Sequence, residues 1–396
     1  MKNIYNICLW TIASMLLFTS CSDWTDMEAK NPADLTVNNR SEAYYAQLRN
    51  YKKSDHPVAF GWFGGWAGRS ASLEKSLSGL PDSVDFVSLW GNWKNPTQEQ
   101  KEDLKFVQKV KGTKVLICWQ VHDIGDQLTP EQPADWEEKN PGKNFRHEFW
   151  GWGETAESRL AAVEKYAKAI LDTIRTYNYD GFDMDAEPFI AQIGFKAEEE
   201  LWNDKAYIVH FVKVLSKELG PKSGTGKMFV VDGEPRELPD TLAGYFDYFI
   251  LQAYSPARRI SGDELQSRLD KQYEHFKKVL TPEQFCKKTI ITENFEDGSN
   301  ISEYKFSVSE GENTKSLYEG LAPTTMLKWE TIGKEKRWLA KSIIGFALWN
   351  PTFDGQTYPK GGLGTFHMEY EYSAQGTLNT YPYLRKAIQL QNPRNK

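Results

Sequence analysis

Cysteine and histidine are scarce in this sequence, with four and six residues among 396. Cys8 and Cys21 lie near the N-terminus, whereas Cys118 and Cys286 each lie beside an apolar run. Two isolated thiols form neither a disulfide framework nor a metal site, so we predict that both are buried as small hydrophobic side chains. The histidines are scattered, and His147, which precedes a glutamate, has no second histidine four residues on. We therefore predict no zinc site, and no other metal or cofactor.

Basic clusters and apolar runs of membrane-spanning length are also missing. The net charge is −6, which argues against a nucleic-acid partner. The apolar run Ile7–Phe18 follows Lys2 and is too short to cross a bilayer as a mature helix. Together these two features predict a signal peptide over residues 1–20, and hence an exported protein.

The signal peptide ends in a run that resembles a bacterial lipobox, although Phe18 stands where an aliphatic residue is usual. The resemblance implies cleavage before Cys21 and attachment of lipid to its thiol. An ordinary cleaved signal peptide is the alternative. Residues 21–50 are polar and are predicted to form a tether, with a short helix around Ser41–Tyr51.

Acidic residues follow the cysteine closely, at Asp23, Asp26 and Glu28. They resemble the export signal by which some bacteria display lipoproteins on the outer face of the outer membrane. A solvated linker has the same composition. We expect an outer-membrane protein that faces the cell exterior and contacts the membrane only through the lipid at Cys21.

Short apolar segments alternate with amphipathic helical segments over the rest of the chain. The strand candidates are Val58–Trp62, Phe86–Trp90, Lys114–Trp119, Gly181–Asp185, Met228–Val231, Tyr248–Tyr254, Thr289–Thr292 and Ile344–Trp349. Eight strands separated by helices predict a (β/α)₈ TIM barrel of the α/β class, as a single domain over residues 51–396. A doubly wound open sheet is less favoured because no glycine-rich phosphate loop follows the first strand. Long loops are predicted after strands seven and eight, at Phe295–Thr324 and Pro351–Tyr381.

The fourth strand candidate carries an unusual run of acids. Side chains alternate along a strand, so Asp183, Asp185 and Glu187 share one face and apolar residues share the other. Burial of unpaired carboxylates is unfavourable, so the run does not serve folding. A calcium loop is excluded by Pro188, which stands where such a loop needs glycine. Neighbouring acids push their pKa values apart, which favours general acid catalysis.

The pattern Asp180-x-x-Asp183-x-Asp185-x-Glu187 resembles the D-x-x-D-x-D-x-E signature of glycoside hydrolase family 18, which contains chitinases and endo-β-N-acetylglucosaminidases. The resemblance covers roughly residues 55–390 and implies a retaining, substrate-assisted mechanism. It implies that Glu187 is the acid and base, that Asp185 holds the acetamido N–H, and that Asp183 pairs with Asp185. Asp180 is predicted to belong to the substrate-binding residues, where it would support the other acids of the motif.

Two later strand ends fit the same resemblance. Tyr254 matches a tyrosine that hydrogen-bonds the acetamido oxygen, and Gln252 in the form Gln-x-Tyr resembles the endo-β-N-acetylglucosaminidase branch. Chitinases commonly carry an aspartate after that tyrosine, where this chain has Ser255. Trp349, on the predicted eighth strand, matches the tryptophan at the floor of the −1 subsite, although a core position is the alternative.

Aromatic residues are abundant, with 14 Trp, 19 Tyr and 21 Phe. Trp62, Trp90 and Trp119 lie near predicted strand ends, where flat rings suit sugar surfaces, although each also suits the core. Asn294 is predicted to bind sugar hydroxyls. Further polar residues at strand ends are either sugar ligands or solvated, namely Asp232, Glu234 and Glu293.

These expectations converge on an endo-β-N-acetylglucosaminidase that cleaves the GlcNAc-β1,4-GlcNAc core of N-linked glycans on glycoproteins, as a monomer. A chitinase acting on GlcNAc polymers is the first alternative. An inactive glycan-binding lipoprotein is the second, and the intact Glu187 argues against it. The glycan type that is accepted is not predicted, because loops after the strands determine it.

Overall fold

The described strands of the computed structural model are, in chain order, β1 (Val58–Gly64), β2 (Phe86–Trp90), β3 (Lys114–Gln120), β4 (Gly181–Ala186), β5 (Met228–Gly233), β6 (Tyr248–Gln252), β7 (Ile260–Ser261), β8 (Thr289–Asn294), β9 (Phe306–Ser309), β10 (Leu327–Ile332), β11 (Glu335–Ala340), β12 (Thr352–Phe353), β13 (Gln356–Thr357) and β14 (Gly362–Phe366). Eight of them run parallel and close into a barrel, in the order β1-β14-β8-β6-β5-β4-β3-β2. The predicted TIM barrel is confirmed, and the open doubly wound sheet is excluded.

Helices cover the outside of the barrel. They are α1 (Glu42–Tyr51), α2 (Gln98–Phe106, continued by a π-helix over Val107–Lys111), α3 (Trp136–Lys139), α4 (Phe145–Trp150), α5 (Ala156–Tyr177), α6 (Lys205–Leu215), α7 (Gly262–Phe276), α8 (Pro282–Lys288), α9 (Gly298–Ser302), α10 (Ser342–Leu348) and α11 (Pro382–Gln391). Single 3₁₀ segments lie at Leu77–Gly79, Pro235–Glu237, Asp240–Tyr245 and Met368–Glu371. Capping is strong at α7, where Ser261 and Glu264 form a capping box.

The structure describes residues 40–69, 73–188, 198–254, 260–309, 326–373 and 380–393. The predicted signal peptide, Cys21 and the acidic residues after it lie outside these ranges, as does Ser255. Within them, no helix is both long enough and apolar enough to cross a membrane.

Helix α1 belongs to the same compact unit as the barrel, which begins at Arg40. The Ser41 side chain caps its first turn. The short helix predicted at this place is therefore present. The Tyr44 hydroxyl donates to Asp82 over 2.8 Å, and Arg49 Nη1 donates to the carbonyl of Val110 over 2.8 Å. The helix therefore packs on the barrel, and the folded region begins about ten residues before the predicted boundary at residue 51.

The eighth barrel strand was predicted at the wrong place. Ile344–Trp349 is not a strand, because residues 342–348 form α10, and every one of them is buried. A helix that is apolar on all sides has no period that distinguishes it from a buried strand. The true strand, β14, lies inside the segment predicted as a loop after strand eight. Its glycines weaken the strand signal but are needed, since a Cβ on Gly364 would lie 2.7 Å from the ring of Phe60.

A small sheet, antiparallel except for the parallel pair of β7 with β9, fills the long connection after β8. Its order is β10-β11-β9-β7, so strands from the seventh connection pair with the segment that follows β6. The loop predicted at Phe295–Thr324 thus contains α9 and β9, and its residues 310–324 lie outside the described part of the chain.

Apolar side chains form one layer inside the barrel wall and a second layer outside it. The inner layer fills the barrel, with Phe60, Phe86, Leu116, Val230, Ile250 and Ile290 among its members. The larger outer layer lies between strands and helices, and on β4 it contains Phe182, Met184 and Ala186. Cys118 and Cys286 are buried free thiols, as predicted. Because the apolar face of β4 points outward, its acids point into the barrel.

Candidate active site

The acids of β4 rise through the barrel interior towards its C-terminal mouth. Asp183 is fully buried, Asp185 is 6% exposed, and Glu187, directly after the strand, is 7% exposed. The alternation predicted from the sequence is therefore present. This end of a TIM barrel is where such enzymes carry out their chemistry.

Asp232 on β5 joins these acids from the side. It pairs with Asp185 in the strand register and hydrogen-bonds both Asp183 and Asp185. One oxygen from each of Asp185, Glu187 and Asp232 lies within 4.8 Å of the others. A hydrogen bond between two carboxyl groups requires a proton, so the buried acids share protons through Asp232. The family resemblance had implied a direct pair of Asp183 with Asp185, and Asp232 had been expected either to bind sugar or to be solvated.

Burial raises the pKa of every acid in this cluster. Desolvation raises the pKa of Asp183 to about 6, although the Trp62 indole, which donates to its Oδ2 over 3.0 Å, acts in the opposite direction. Desolvation, followed by the nearby charges of other acids, holds the pKa values of Asp185 and Asp232 well above the ordinary range. The cluster therefore retains protons at neutral pH.

Glu187 is held by two amides at the mouth of the barrel. Gln120 Nε2 donates to its Oε2 over 3.3 Å, and Gln252 also hydrogen-bonds it. Burial, and then the charge of Glu234, raise its pKa, while both amides lower it. Gly233 provides the room for this side chain: its φ is +80°, and a Cβ there would meet Glu187 Cγ at 2.6 Å.

The end of β6 supplies the remaining polar groups. Gln252 Nε2 donates to Asp232 over 2.9 Å, so this amide connects Asp232 with Glu187. Tyr254 hydrogen-bonds Thr292, and burial holds its pKa well above the ordinary value, so it remains a phenol. From α7, Arg268 donates to the carbonyls of Gln252 (3.3 Å) and Tyr254 (3.2 Å) and fixes both residues.

Asp185 has one buried oxygen, Oδ1, to which no group in the described part of the chain donates a hydrogen bond. The carboxyl group also bonds Asp232. Buried acceptors without partners are costly and rare. The open acceptor lies in the cluster that contains Glu187, so a ligand N–H in the site would satisfy it.

Within the described ranges, three groups of acids, one with a cysteine and one with a histidine, are close enough together to consider metal binding. In the barrel, two groups share Asp232, but their atoms hydrogen-bond one another and neighbouring side chains, which fits proton sharing better than an ion. At the rim, His147, Glu198 and Glu200 converge. There Arg146 already supplies the cation, 3.0 Å from Glu198 and 3.3 Å from Glu200.

Two of the predicted substrate-binding tryptophans lie outside the site. Trp119 points from β3 to the helices, stacks on Trp93 at 4.8 Å and donates to the Tyr166 hydroxyl over 3.0 Å. Alternation explains the error, because its neighbours on β3 face inward. Trp349 ends α10 and packs near Gly262 at the start of α7, in the outer layer. Both predictions are wrong.

Asp180 and Trp62 serve as supports. Asp180 lies at the N-terminal end of β4, away from Glu187, and its Oδ2 accepts from the N–H of Val115 (2.9 Å) and from Gln108 (2.8 Å). Its prediction as a substrate ligand is therefore wrong, while the supporting role fits. Trp62 is 3% exposed and bonds Asp183 inside the barrel, which leaves little of its surface for a sugar.

The neighbouring strand end carries Glu293 and Asn294. Asn294 lies level with Phe366 in the register, and its Oδ1 accepts from the N–H of Glu296 over 2.7 Å. Glu293 lies on the opposite face of β8 from Asn294, so its carboxyl faces the helices, and burial raises its pKa to about 7. Asn294 thus remains near the mouth, whereas Glu293 does not.

Phe366 was missed by the sequence analysis. Its half-buried ring at the end of β14 lies 6.1 Å from the ring of Tyr254 and 6.0 Å from the ring of Trp90. It occupies the place on the eighth strand that was assigned to Trp349. The alternation of glycines with larger residues over Gly362–Phe366 was the available signal.

Comparisons with known proteins agree with the family resemblance of the β4 motif. The profile of the family described as "Glycoside hydrolase family 18, BT1044-like" matches residues 23–309 and 307–390. Endo-β-N-acetylglucosaminidase F2 of Elizabethkingia meningoseptica is 30% identical over 223 residues, which are 53% of this chain and 54% of that protein. The match thus spans about half the length of this curated relative.

Solved structures resemble the barrel as well. A structure of a BT1044 variant with glutamate replaced by glutamine is 32% identical, with a TM-score of 0.67, over 89% of this chain and 93% of that one. The endo-β-N-acetylglucosaminidase of Cordyceps militaris is 21% identical, with a TM-score of 0.55, over 89% and 97% of the two chains. The second likeness concerns the fold alone.

Proposed function

The chain belongs to glycoside hydrolase family 18, in the group described as BT1044-like, and from that premise we propose that it cleaves the GlcNAc-β1,4-GlcNAc core of N-linked glycans. It is a glycoside hydrolase of the endo-β-N-acetylglucosaminidase type. The observation that carries the finer proposal is the open Oδ1 of Asp185, buried beside Glu187 and Tyr254. An acetamido group offers the N–H and the carbonyl oxygen that suit this arrangement.

In the first step the acetamido oxygen of the −1 sugar attacks the anomeric carbon, and the bond from that carbon to the leaving oxygen breaks. Glu187 gives its proton to the leaving oxygen, which departs as a hydroxyl of the GlcNAc that stays linked to asparagine. Asp185 accepts the acetamido N–H and stabilises the positive oxazolinium ring. Tyr254 donates to the acetamido oxygen and aligns it for attack. The raised pKa of Glu187 favours the protonated carboxyl group that this step needs.

In the second step water attacks the anomeric carbon from the side that the leaving group vacated. Glu187, now a carboxylate, takes a proton from that water. The bond between the anomeric carbon and the acetamido oxygen breaks, and the acetamido group is restored. Two inversions at one carbon give net retention. No group of the protein forms a covalent bond to the sugar, so the role of Asp185 is electrostatic.

Glycan release by the wild-type chain and the E187Q variant tests this proposal. We expect mass spectrometry to show released oligosaccharide from a glycoprotein, with one GlcNAc left on asparagine. Glutamine keeps an oxygen for Gln120 but has no acidic proton to transfer to the leaving group, so the rate should fall on the order of 10²–10⁴-fold. Exclusive cleavage of a chitin oligomer would contradict the proposed substrate. Unchanged release by E187Q would contradict the mechanism.

We further propose that Cys21 is lipidated and anchors the enzyme to the outer membrane, where it meets glycoproteins from the exterior. The lipobox-like run and the acids after it support this location. Mass spectrometry of the mature N-terminus from wild-type and C21A cells checks the lipid. Digestion of intact cells by added protease checks the exposure, and full protection of the anchored protein would contradict display on the exterior.

A further inference from the structure

A groove lies on the outside of the barrel wall, between α1 and α11. Its volume is about 1020 Å³, and none of the acids of the carboxylate cluster is among its described lining residues. Arg40 is the first described residue and Asn392 is the last but one, and both line the groove. The chain therefore enters and leaves the described fold beside this groove, which we call the flank groove.

The flank groove is positively charged. Arg40, Arg385 and Lys386 line it, and Asp82 is the only acid among its described lining residues. The fold already uses that carboxylate, because its Oδ1 lies 2.9 Å from the Nζ atom of the buried Lys111. The whole chain carries a net charge of −6, so the positive charge of the groove is a local feature.

The two arginines of the groove contact neutral partners. The Arg40 guanidinium lies 5.3 Å from the centre of the Tyr44 ring, and Arg385 donates to the carbonyl (2.8 Å) and to the hydroxyl (3.3 Å) of Thr380. Neutral partners do not compensate the positive charge, and like charges gathered in one groove repel one another. A bound anion would relieve this repulsion, so the groove suits an anionic ligand.

The polar groups of the groove fit a phosphate group. Arginine forks and lysine ammonium groups are the side chains that most often bind phosphate in proteins. Gln47, Gln389 and Asn392 also line the groove and add amide donors. In the sequence, Arg394 and Lys396 follow Asn392 and bring two further cations to this end of the chain.

The place of the proposed lipid anchor indicates which phosphate the groove meets. Arg40 is 19 residues after Cys21, and an extended chain of that length spans at most about 65 Å. A lipid on Cys21 would thus keep the groove close to a membrane surface that carries phosphate groups. The effective concentration is then high enough for weak contacts to be occupied.

We propose that the flank groove binds phosphate groups of the membrane surface and holds the outside of the barrel against it. This inference rests on the proposed lipid anchor at Cys21, and it goes beyond the expectation of a membrane contact through the lipid alone. The carboxylate cluster lies inside the barrel, so the groove takes no part in bond cleavage. The contact is electrostatic, and it weakens as the salt concentration rises.

Sedimentation with vesicles tests the flank groove in the absence of the lipid. The mature chain, residues 21–396, is made without the signal peptide and mixed with vesicles of phosphatidylcholine alone or of equal parts phosphatidylcholine and phosphatidylglycerol. We expect the wild type to bind only the mixed vesicles. R385Q/K386Q should lower the partition coefficient about 25-fold, because each cation near an anionic surface contributes about fivefold.

The double variant keeps the buried residues of α11, Leu384, Ala387 and Ile388. Its rate of glycan release in solution should therefore equal that of the wild type, which also shows that it is folded.

K94Q/K143Q provides the matched control. Both lysines are exposed, and they follow β2 and β3 in the chain, so they lie at the end of the barrel that holds Glu187. This control removes the same two charges and should keep the wild-type partition coefficient. Equal losses in the two double variants, or no binding of the wild type to the mixed vesicles, would overturn the proposal.

Two further measurements separate this inference from its neighbours. If mass spectrometry found no lipid on Cys21, the proposed anchor would be rejected, whereas binding of the unlipidated chain to mixed vesicles would still support the groove. Analytical ultracentrifugation of the wild type should show a monomer. A dimer that R385Q/K386Q abolishes would identify a second copy of the chain as the occupant and would reject the membrane contact.

Discussion

Replacement of Asp232 by asparagine or by alanine gives the sharpest test of the proton-sharing cluster. Asp232 bonds Asp183 and Asp185 and accepts from Gln252 over 2.9 Å. Its pKa is raised by burial and by its two acidic neighbours, so at neutral pH it carries a proton. Asparagine has the same shape and keeps both a donor and an acceptor, whereas alanine has neither.

The structure gives the size of the two effects. A hydrogen bond to a charged group contributes about 1.5–3 kcal/mol, and tenfold in rate corresponds to about 1.4 kcal/mol. D232A loses both the single O–H donor and the acceptor for Gln252, or about 3–6 kcal/mol in all, and should lower kcat/KM about 10²–10⁴-fold. D232N keeps one donor and should lower kcat/KM about tenfold. The difference arises because Asn resembles the protonated state of Asp232.

Initial rates of glycan release measure kcat/KM for the three proteins, and thermal unfolding by circular dichroism checks that each is folded. The comparison is made at pH 6 and pH 8 on the same glycopeptide. Equal losses in D232N and D232A would refute proton donation by Asp232. A D232A variant that stays within about threefold of wild type would refute the bridge itself.

Three further predictions concern individual positions. G233A should lose at least about tenfold in activity and about 1–3 kcal/mol in stability. The φ of +80° at this position disfavours a side chain, and the Cβ of alanine would displace Glu187. Wild-type kinetics and an unchanged denaturation midpoint in G233A would contradict this prediction. W119F should lower the free energy of unfolding by about 1–3 kcal/mol but keep kcat/KM within about twofold, because Trp119 faces the helices. A selective rise in KM would show that Trp119 contacts the substrate. Burial raises the pKa of Glu371 to about 8, so between pH 5 and pH 8 the folded state holds a proton that the unfolded state has released, and stability falls as pH rises. E371Q should remove about 1 kcal/mol or more of that fall, and identical pH profiles of the unfolding free energy would disprove the assignment.

The alternation of β4 could be predicted from the sequence because its pattern is local. Apolar residues at one parity and acids at the other determine both faces of the strand, whatever the neighbouring strands are. The same pattern predicts the depth order of Asp183, Asp185 and Glu187. Position at the strand end, rather than distant contacts, brings Glu187 to the mouth.

The error at the eighth strand has a different cause. Residues 342–348 are buried on every side, so their apolar run carries no period. The true strand contains Gly362 and Gly364, which allow β14 to approach Val58 and Phe60 closely. The need for these glycines depends on β1, which lies some 300 residues earlier in the chain. Because β14 was misplaced, Phe366 was missed and Trp349 was chosen instead.

The role of Asp232 also depends on contacts that the sequence does not display. A single acid at the end of β5 is typical of many strand ends, and only the register with β4 places it beside Asp185. Trp119 and Trp90 illustrate the same point from the aromatic residues. Both lie near strand ends, but alternation turns Trp119 outward, whereas Trp90 at the tip of β2 is exposed.

The anomeric configuration of the first product tests the central claim most directly. Substrate assistance by the acetamido group requires two inversions at the anomeric carbon. Proton NMR of the glycopeptide digest, recorded within the first turnovers and before mutarotation, should show the β-anomer of the released oligosaccharide. Initial appearance of the α-anomer would contradict the mechanism proposed for Asp185 and Glu187.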